Sequence, residues 1–226
     1  MDARLSGDPE AARLARLGRK VRKRLDASPA ARRIAADEAE LWAVPKFLDP
    51  LECGRLIAMI DAVARPSRTF EVDAANYRTS YTGEIPAGDP FVAALNRRID
   101  ALLGIDPAWG EAIQGQRYTA GQEFKPHVDF FPPGTRTWDK EQALGGQRSM
   151  TAMAYLNPVE EGGETDFPRL DLAVPPRPGM LLVWNNADPQ GLPNPFTLHA
   201  GNPVIRGTKH VITKWYRAAP WIMGSR

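Results

Sequence analysis

The sequence predicts an α+β fold, a β-sandwich or jelly roll backed by helices. Two patterns carry this. Helical periodicity dominates the first hundred residues, and from Glu111 to about Arg217 short strand-like runs alternate with Gly, Pro and Asn turns. A chain of 226 residues with 43% hydrophobic and 25% charged content is ordinary for one buried core with a short extension.

The N-terminal stretch places Leu14, Leu17, Val21 and Leu25 at helical spacing among basic residues. Residues 1–33 hold 10 Arg and Lys against 4 Asp and Glu, leaving 19 against 23 in the remainder, so the net charge of +2 is uneven. Such a helix suits an acidic partner, a membrane surface or nucleic acid. The simpler reading is a solvated helix that packs its leucine stripe on the main domain or on a second subunit. It is favoured because the stretch has no aromatic residue for insertion or base stacking. Residues 1–36 are therefore expected as a basic helical extension, and residues 37–226 as a single domain, with a linker around residues 35–40.

LWAVPKFL reads as an edge strand, since Pro45 lacks a ladder donor. Asp49-Pro50 opens a helix to about Val63. Residues 69–85 read as one or two strands with polar interruptions. PFVAALNRRIDALLG is an amphipathic helix that Gly104 terminates. The runs AIQGQRY, EFKPHVDFF, SMTAMAYLN, GETDF, LAVPPRPG, MLLVWNN, FTLHAGNPV and KHVITKWYR follow as strands. Two long polar stretches, residues 132–147 and 186–196, are expected as binding loops or lids. Glu160, Glu161 and Glu164 surround Gly162-Gly163 and are read as turn residues, not catalysts.

The lone Cys53, in a helix, excludes a disulfide framework and a cysteine-rich zinc site. No apolar run reaches the roughly 18 residues of a membrane span. No secretory signal is recognisable, and a cytoplasmic location is expected.

His127-Val128-Asp129, with His199 further on, carries the chemistry. The chain has only 3 histidines, His127, His199 and His210. On an extended strand residues i and i+2 share a face, so His127 and Asp129 can reach one ion that His199 meets from a neighbouring strand. Two imidazoles and a carboxylate can hold one face of octahedral Fe(II), leaving three positions open. Zinc accepts the same donors and would imply a hydrolase or a structural site. A 2-oxo acid bound to iron would need a cation and hydroxyl donors for its far carboxylate. Lys209, beyond the Gly207 turn, is the candidate cation; Tyr118, Thr151 and Tyr155 are candidate hydroxyls.

These segments, EAIQGQRYTAGQEFKPHVDFF, RSMTAMAYLNPVEEGGETDFP, PRPGMLLVWNN and TLHAGNPVIRGTKHVITKWYR, together with the upstream YRTSYTGEI, resemble the prolyl 4-hydroxylase branch of the 2-oxoglutarate- and Fe(II)-dependent dioxygenases. The resemblance covers roughly residues 41–218. It implies a double-stranded β-helix core at about 111–218, with His127, Asp129 and His199 as iron ligands. It also implies Lys209, Tyr118, Thr151 and Tyr155 around 2-oxoglutarate, and Glu111, Arg148 and Trp215 facing a peptide. Oxygen is the other co-substrate, L-ascorbate the reductant, and succinate and CO2 the co-products. The implied substrate is a proline-containing peptide or protein. Lys209 sets the chain apart from nucleic-acid demethylase relatives, which carry Arg there. Phe124 departs from the family, which has Tyr at that position, and a substrate hydrogen bond is lost with the hydroxyl. The loop at 186–196 is also unlike the family. Both departures leave room for another side chain or a small metabolite as substrate. A catalytically silent binding module is the reading from a different class.

Overall fold

The computed structural model describes residues 8–34, 38–67 and 77–222. Its three long helices begin alike. Helices α1 (Pro9–Asp26), α2 (Pro50–Val63) and α3 (Pro90–Leu103) each follow an aspartate whose carboxylate accepts a backbone N–H of the first turn. Proline in that turn costs nothing, because its missing donor would be unpaired anyway. Asp49 and Glu52 complete a reciprocal capping box on α2. Helix α3 ends, as expected, at Gly104 in the left-handed conformation (φ 68°).

The strands are β1 (Arg32–Arg33), β2 (Leu41–Val44), β3 (Arg65–Pro66), β4 (Tyr81–Glu84), β5 (Gln114–Thr119), β6 (Phe124–His127), β7 (Arg148–Tyr155), β8 (Glu161–Gly162), β9 (Thr165–Phe167), β10 (Leu172–Val174), β11 (Leu181–Asn185), β12 (His199–Gly201), β13 (Val204–Arg206) and β14 (Thr208–Arg217). All pair antiparallel. Eight form one sheet in the order β1-β2-β11-β7-β14-β5-β4-β3, and four form a second in the order β10-β9-β12-β6. β8 and β13 make a separate ribbon.

The period of two divides the large sheet between two cores. Met150, Ala152, Ala154, Leu181, Val183, Ile212 and Tyr216 face the helices, where they meet Leu17, Val21, Leu25, Leu56, Ile60, Leu95 and Ile99. The alternate residues Met153, Tyr155, Leu182, Trp184 and Val211 meet Phe167, Val174 and Val204 on the other side. A one-residue slip would exchange the two sets, so each core fixes the register of the other.

Three expectations change. LWAVPKFL is not an edge: β2 lies between β1 and β11, with Pro45 just beyond the strand. Residues 132–147 are not all loop, since Thr135 caps a short helix, α4 (Arg136–Ala143). Residues 69–85 are described only from Tyr77 on, where β4 forms; the rest of that segment lies outside the described residues. The leucine stripe of α1 packs on the main body. Leu17, Val21 and Leu25 join the helix-side core, and Leu14 meets Ala187 and Ala218. Among the described residues no helix is long and apolar enough to cross a membrane.

Candidate metal centre

His127 ends β6, and its cross-strand partner on β12 is His199. The ladder is irregular here, with Phe124 to His127 opposing Gly201 to His199, so β6 carries an extra residue. Pro126, which has no N–H to lose, falls within this bulge, and such bulges re-aim adjacent side chains. Asp129 does not extend the strand. It sits in the bend that follows, and the turn brings its carboxylate back. His127, Asp129 and His199 each offer a ligand atom within 4.8 Å of the others.

The backbone orients both imidazoles. His127 Nδ1 pairs with Lys125 O at 2.8 Å and His199 Nδ1 with Thr197 O at 2.9 Å. Each Nδ1 therefore carries a proton, and Nε2 is the nitrogen each ring turns toward the other donors. Burial, reinforced by the neighbouring His199, depresses the His127 pKa to about 3, so the ring is neutral at ordinary pH. Burial pushes the Asp129 pKa up, but His199, His127 and Arg148 outweigh it and hold the carboxyl below its usual range. Thr151 Oγ1 donates to Asp129 Oδ2 (2.7 Å) and accepts from Asn186 Nδ2 (2.9 Å). Phe124 stacks on the His127 ring at 3.6 Å, and Trp184 and Phe167 flank His199. Two imidazoles turned by the backbone to present Nε2, together with one carboxylate, fit a divalent first-row metal such as Fe(II).

A cavity opens beside these donors, lined also by Tyr118, Phe124, Trp184, Lys209 and Trp215. Lys209 pairs across the ladder with Tyr118 and is 3% exposed. Its ammonium lies 5.4 Å from the Tyr118 ring centre and 5.7 Å from that of Tyr155. Burial lowers its pKa to about 8, with Glu164 opposing from a distance. The indole nitrogens of Trp184 and Trp215 are buried without an acceptor among the described residues. A buried cation and two unaccepted N–H donors make the cavity suited to an anionic ligand.

The other expected residues are placed less directly. The Thr151 hydroxyl is committed to Asp129, and the Tyr155 hydroxyl donates to Thr165 Oγ1 at 2.7 Å, so neither donor proton faces the cavity. Tyr118 lines it, with its hydroxyl 3.5 Å from Gln116 Oε1. Arg148 binds Glu111 through two bonds of 2.8 and 2.9 Å and lies 4.0 Å over the Trp215 ring. Burial opposes the Glu111 charge, but Arg148 and Arg217 outweigh it and lower its pKa. Glu111 and Arg148 thus satisfy each other at the margin, with Trp215 between Arg148 and the cavity. Asn186, Thr165 and the two backbone carbonyls were not singled out from the sequence. No motif marks them, because their roles depend on contacts distant along the chain.

Residues 113–217 match the family described as the 2OG-Fe(II) oxygenase superfamily. The chain is 32% identical over 203 residues to the probable prolyl 4-hydroxylase 3 of Arabidopsis thaliana, covering 79% of this chain and 69% of that one. It is 32% identical over 197 residues to the probable prolyl 4-hydroxylase 4 of the same plant, covering 75% of this chain and 64% of the relative, so it spans just under two thirds of that protein. Among solved structures, the viral collagen prolyl hydroxylase of Paramecium Bursaria Chlorella virus-1, in a 2OG complex, is similar with a TM-score of 0.63 and 28% identity over 79% of this chain and 96% of that one. With its cluster of three metal donors and a likeness extending beyond the matched core, the chain belongs to the 2OG-Fe(II) oxygenase superfamily, in its prolyl 4-hydroxylase-type branch.

Proposed function

We propose that this protein is an Fe(II)- and 2-oxoglutarate-dependent dioxygenase that hydroxylates prolyl residues of a peptide or protein and releases succinate and CO2. The observation that carries the reading is a single cavity shared by three oriented metal donors and a buried lysine with no hydrogen-bond partner among the described residues. His127, Asp129 and His199 would hold the iron, which when bound supplies the redox chemistry that couples oxygen to 2-oxoglutarate. Lys209 would neutralise the far carboxylate of 2-oxoglutarate, with Tyr118 beside it. Thr151 orients Asp129, and Asn186 orients Thr151. Trp184, Phe167 and Phe124 exclude water around the imidazoles, which protects a site where a misdirected oxidant would damage its own ligands. No side-chain acid or base is required. Trp215, backed by Arg148 and Glu111, would form the peptide-facing wall.

The two facing antiparallel sheets support a double-stranded β-helix core at about 111–218 within a domain of residues 37–226, and α1 (Pro9–Asp26) as an extension docked upon it. A cytoplasmic location belongs to the same reading. L-ascorbate would serve as reductant. The similarity to prolyl 4-hydroxylases and to a collagen prolyl hydroxylase supports a prolyl substrate. One observation favours another side chain or a small metabolite: the Phe124 ring, which lacks a hydroxyl, is engaged on His127.

The test is mass spectrometry of proline-containing peptides incubated with the protein, Fe(II), 2-oxoglutarate and ascorbate. One added oxygen on proline, with matching succinate, is the expected result. Succinate without any oxidised prolyl peptide favours the alternative substrate. No iron-dependent succinate at all sinks the dioxygenase reading.

A further inference from the structure

The loop that carries Asp129 is held from behind by the N-terminal helix. Gln147 is buried, and its side-chain amide clamps the backbone of Phe131 in both directions. Phe131 N–H donates to Oε1 at 2.6 Å, and Nε2 donates to Phe131 O at 2.9 Å. Phe131 stands two residues after Asp129. The backbone N–H of Gln147 in turn donates to Glu10 Oε1, in the first turn of α1, at 2.8 Å. Gly146 lies against the same carboxylate, and a Cβ there would collide with it. Glu10 thus fills a place shaped for it, and burial raises its pKa.

The same helix touches the second polar segment. Leu14 packs on Ala187, Gly191 lies against the Ala11 carbonyl, and Gly18 against the Asn185 side chain. The next residue, Asn186, donates to Thr151, which donates to Asp129. Two independent routes therefore lead from α1 to one carboxylate, through Gln147 and Phe131 on one side and through the 185–187 segment on the other. The helix lies outside residues 113–217, the span that matches the family.

We infer that α1 is a positioning element for the metal centre, and that Glu10 is a positioning residue that sets the Asp129 loop through Gln147. The inference rests on the metal-site reading proposed above and adds a regulatory handle to it, because a basic helix displaced from its seat would loosen the site without touching a ligand.

The test uses the full chain, Mn(II) as the probe metal, and hydrogen exchange at the Phe131 amide as a metal-free readout. Glu10→Ala is expected to speed Phe131 exchange about tenfold and to weaken Mn(II) binding ~3- to 10-fold, below the loss seen on removing a direct second contact. Glu10→Gln keeps an acceptor oxygen and should hold both within about twofold of the parent. Arg16→Ala, on the exposed face of the same helix, should change neither. A Glu10→Ala protein with a lowered melting temperature but parental Phe131 exchange and Mn(II) affinity would overturn the inference and leave α1 a passive brace. Equal loosening by Glu10→Gln would overturn the acceptor role. If the parent binds Mn(II) equally well after His199→Ala, the metal reading fails instead, while Phe131 exchange still reports on the helix.

Discussion

Lys209 and Lys214 lie five residues apart on β14, each 3% exposed, and they face opposite sides of the sheet. Lys214 points toward the helices, where its ammonium donates to Asp100 Oδ1 at 2.6 Å and Asn96 Oδ1 at 2.7 Å. Tyr216 donates to the same Asp100 oxygen at 2.5 Å. Lys209 points into the cavity, where it has two aromatic faces and no hydrogen-bond acceptor among the described residues. Burial lowers both pKa values, and only Lys214 has a contacting carboxylate to oppose the shift. One lysine completes the fold, and the other is the one the proposed function would pair with a ligand. The difference teaches how to tell a structural charge from a functional one: by its partners rather than its burial.

Exchanging the two roles is the strongest way to break this comparison. Lys209→Met should weaken 2-oxoglutarate binding by about 100-fold or more, because the far carboxylate loses its buried counter-charge. The same change should leave the ligand-free protein as stable as the parent, or more stable by ~1–3 kcal/mol, since an uncompensated charge leaves the interior. Calorimetric titration and thermal unfolding check the two halves. Lys214→Ala should do the reverse, costing about 3 kcal/mol in chemical denaturation by stranding Asp100, with little change in 2-oxoglutarate affinity.

The pH dependence sharpens the contrast. Lys209 has a pKa of about 8 in the folded ligand-free protein, against 10.5 for an ordinary lysine. Between these values the unfolded chain binds more protons, so this group makes ligand-free stability rise with pH across that window. Binding of the dicarboxylate needs the charged form, so its affinity should be flat below pH 8 and fall above it. Titrations at several pH values measure this, and Lys209→Met should abolish the fall. The smallest effect concerns the hydroxyl behind Asp129. Thr151→Val should weaken Mn(II) binding about tenfold while removing no ligand, read by metal titration.

The parts of this site that could be read from the sequence are those that obey local rules. The alternate spacing of His127 and Asp129, the turn at Gly207 before Lys209 and the Asp-Pro helix starts all follow from short-range geometry. The rest depended on long-range partners. Thr151 looks like a cavity hydroxyl until the fold commits its one proton to Asp129. Glu10 and Gln147 are 137 positions apart and carry no motif. β2 read as an edge because Pro45 lacks a donor, but the strand stops at Val44 and β1 covers its outer side. Asp129 lies beyond the end of its strand, so the two donors expected on one pleat come together through a bend instead.

The bulged end of β6 has one more consequence. This strand is the outer member of the four-stranded sheet, where unpaired backbone groups would invite a foreign chain to add itself. Its outward groups are already taken. Lys125 N–H donates to Tyr77 O at 3.0 Å, Lys125 O receives His127 Nδ1, and Pro126 O receives the Tyr77 hydroxyl at 2.8 Å. The bond that orients the His127 ring therefore also blunts a sticky margin, and hinders intermolecular sheet growth beside the candidate metal centre.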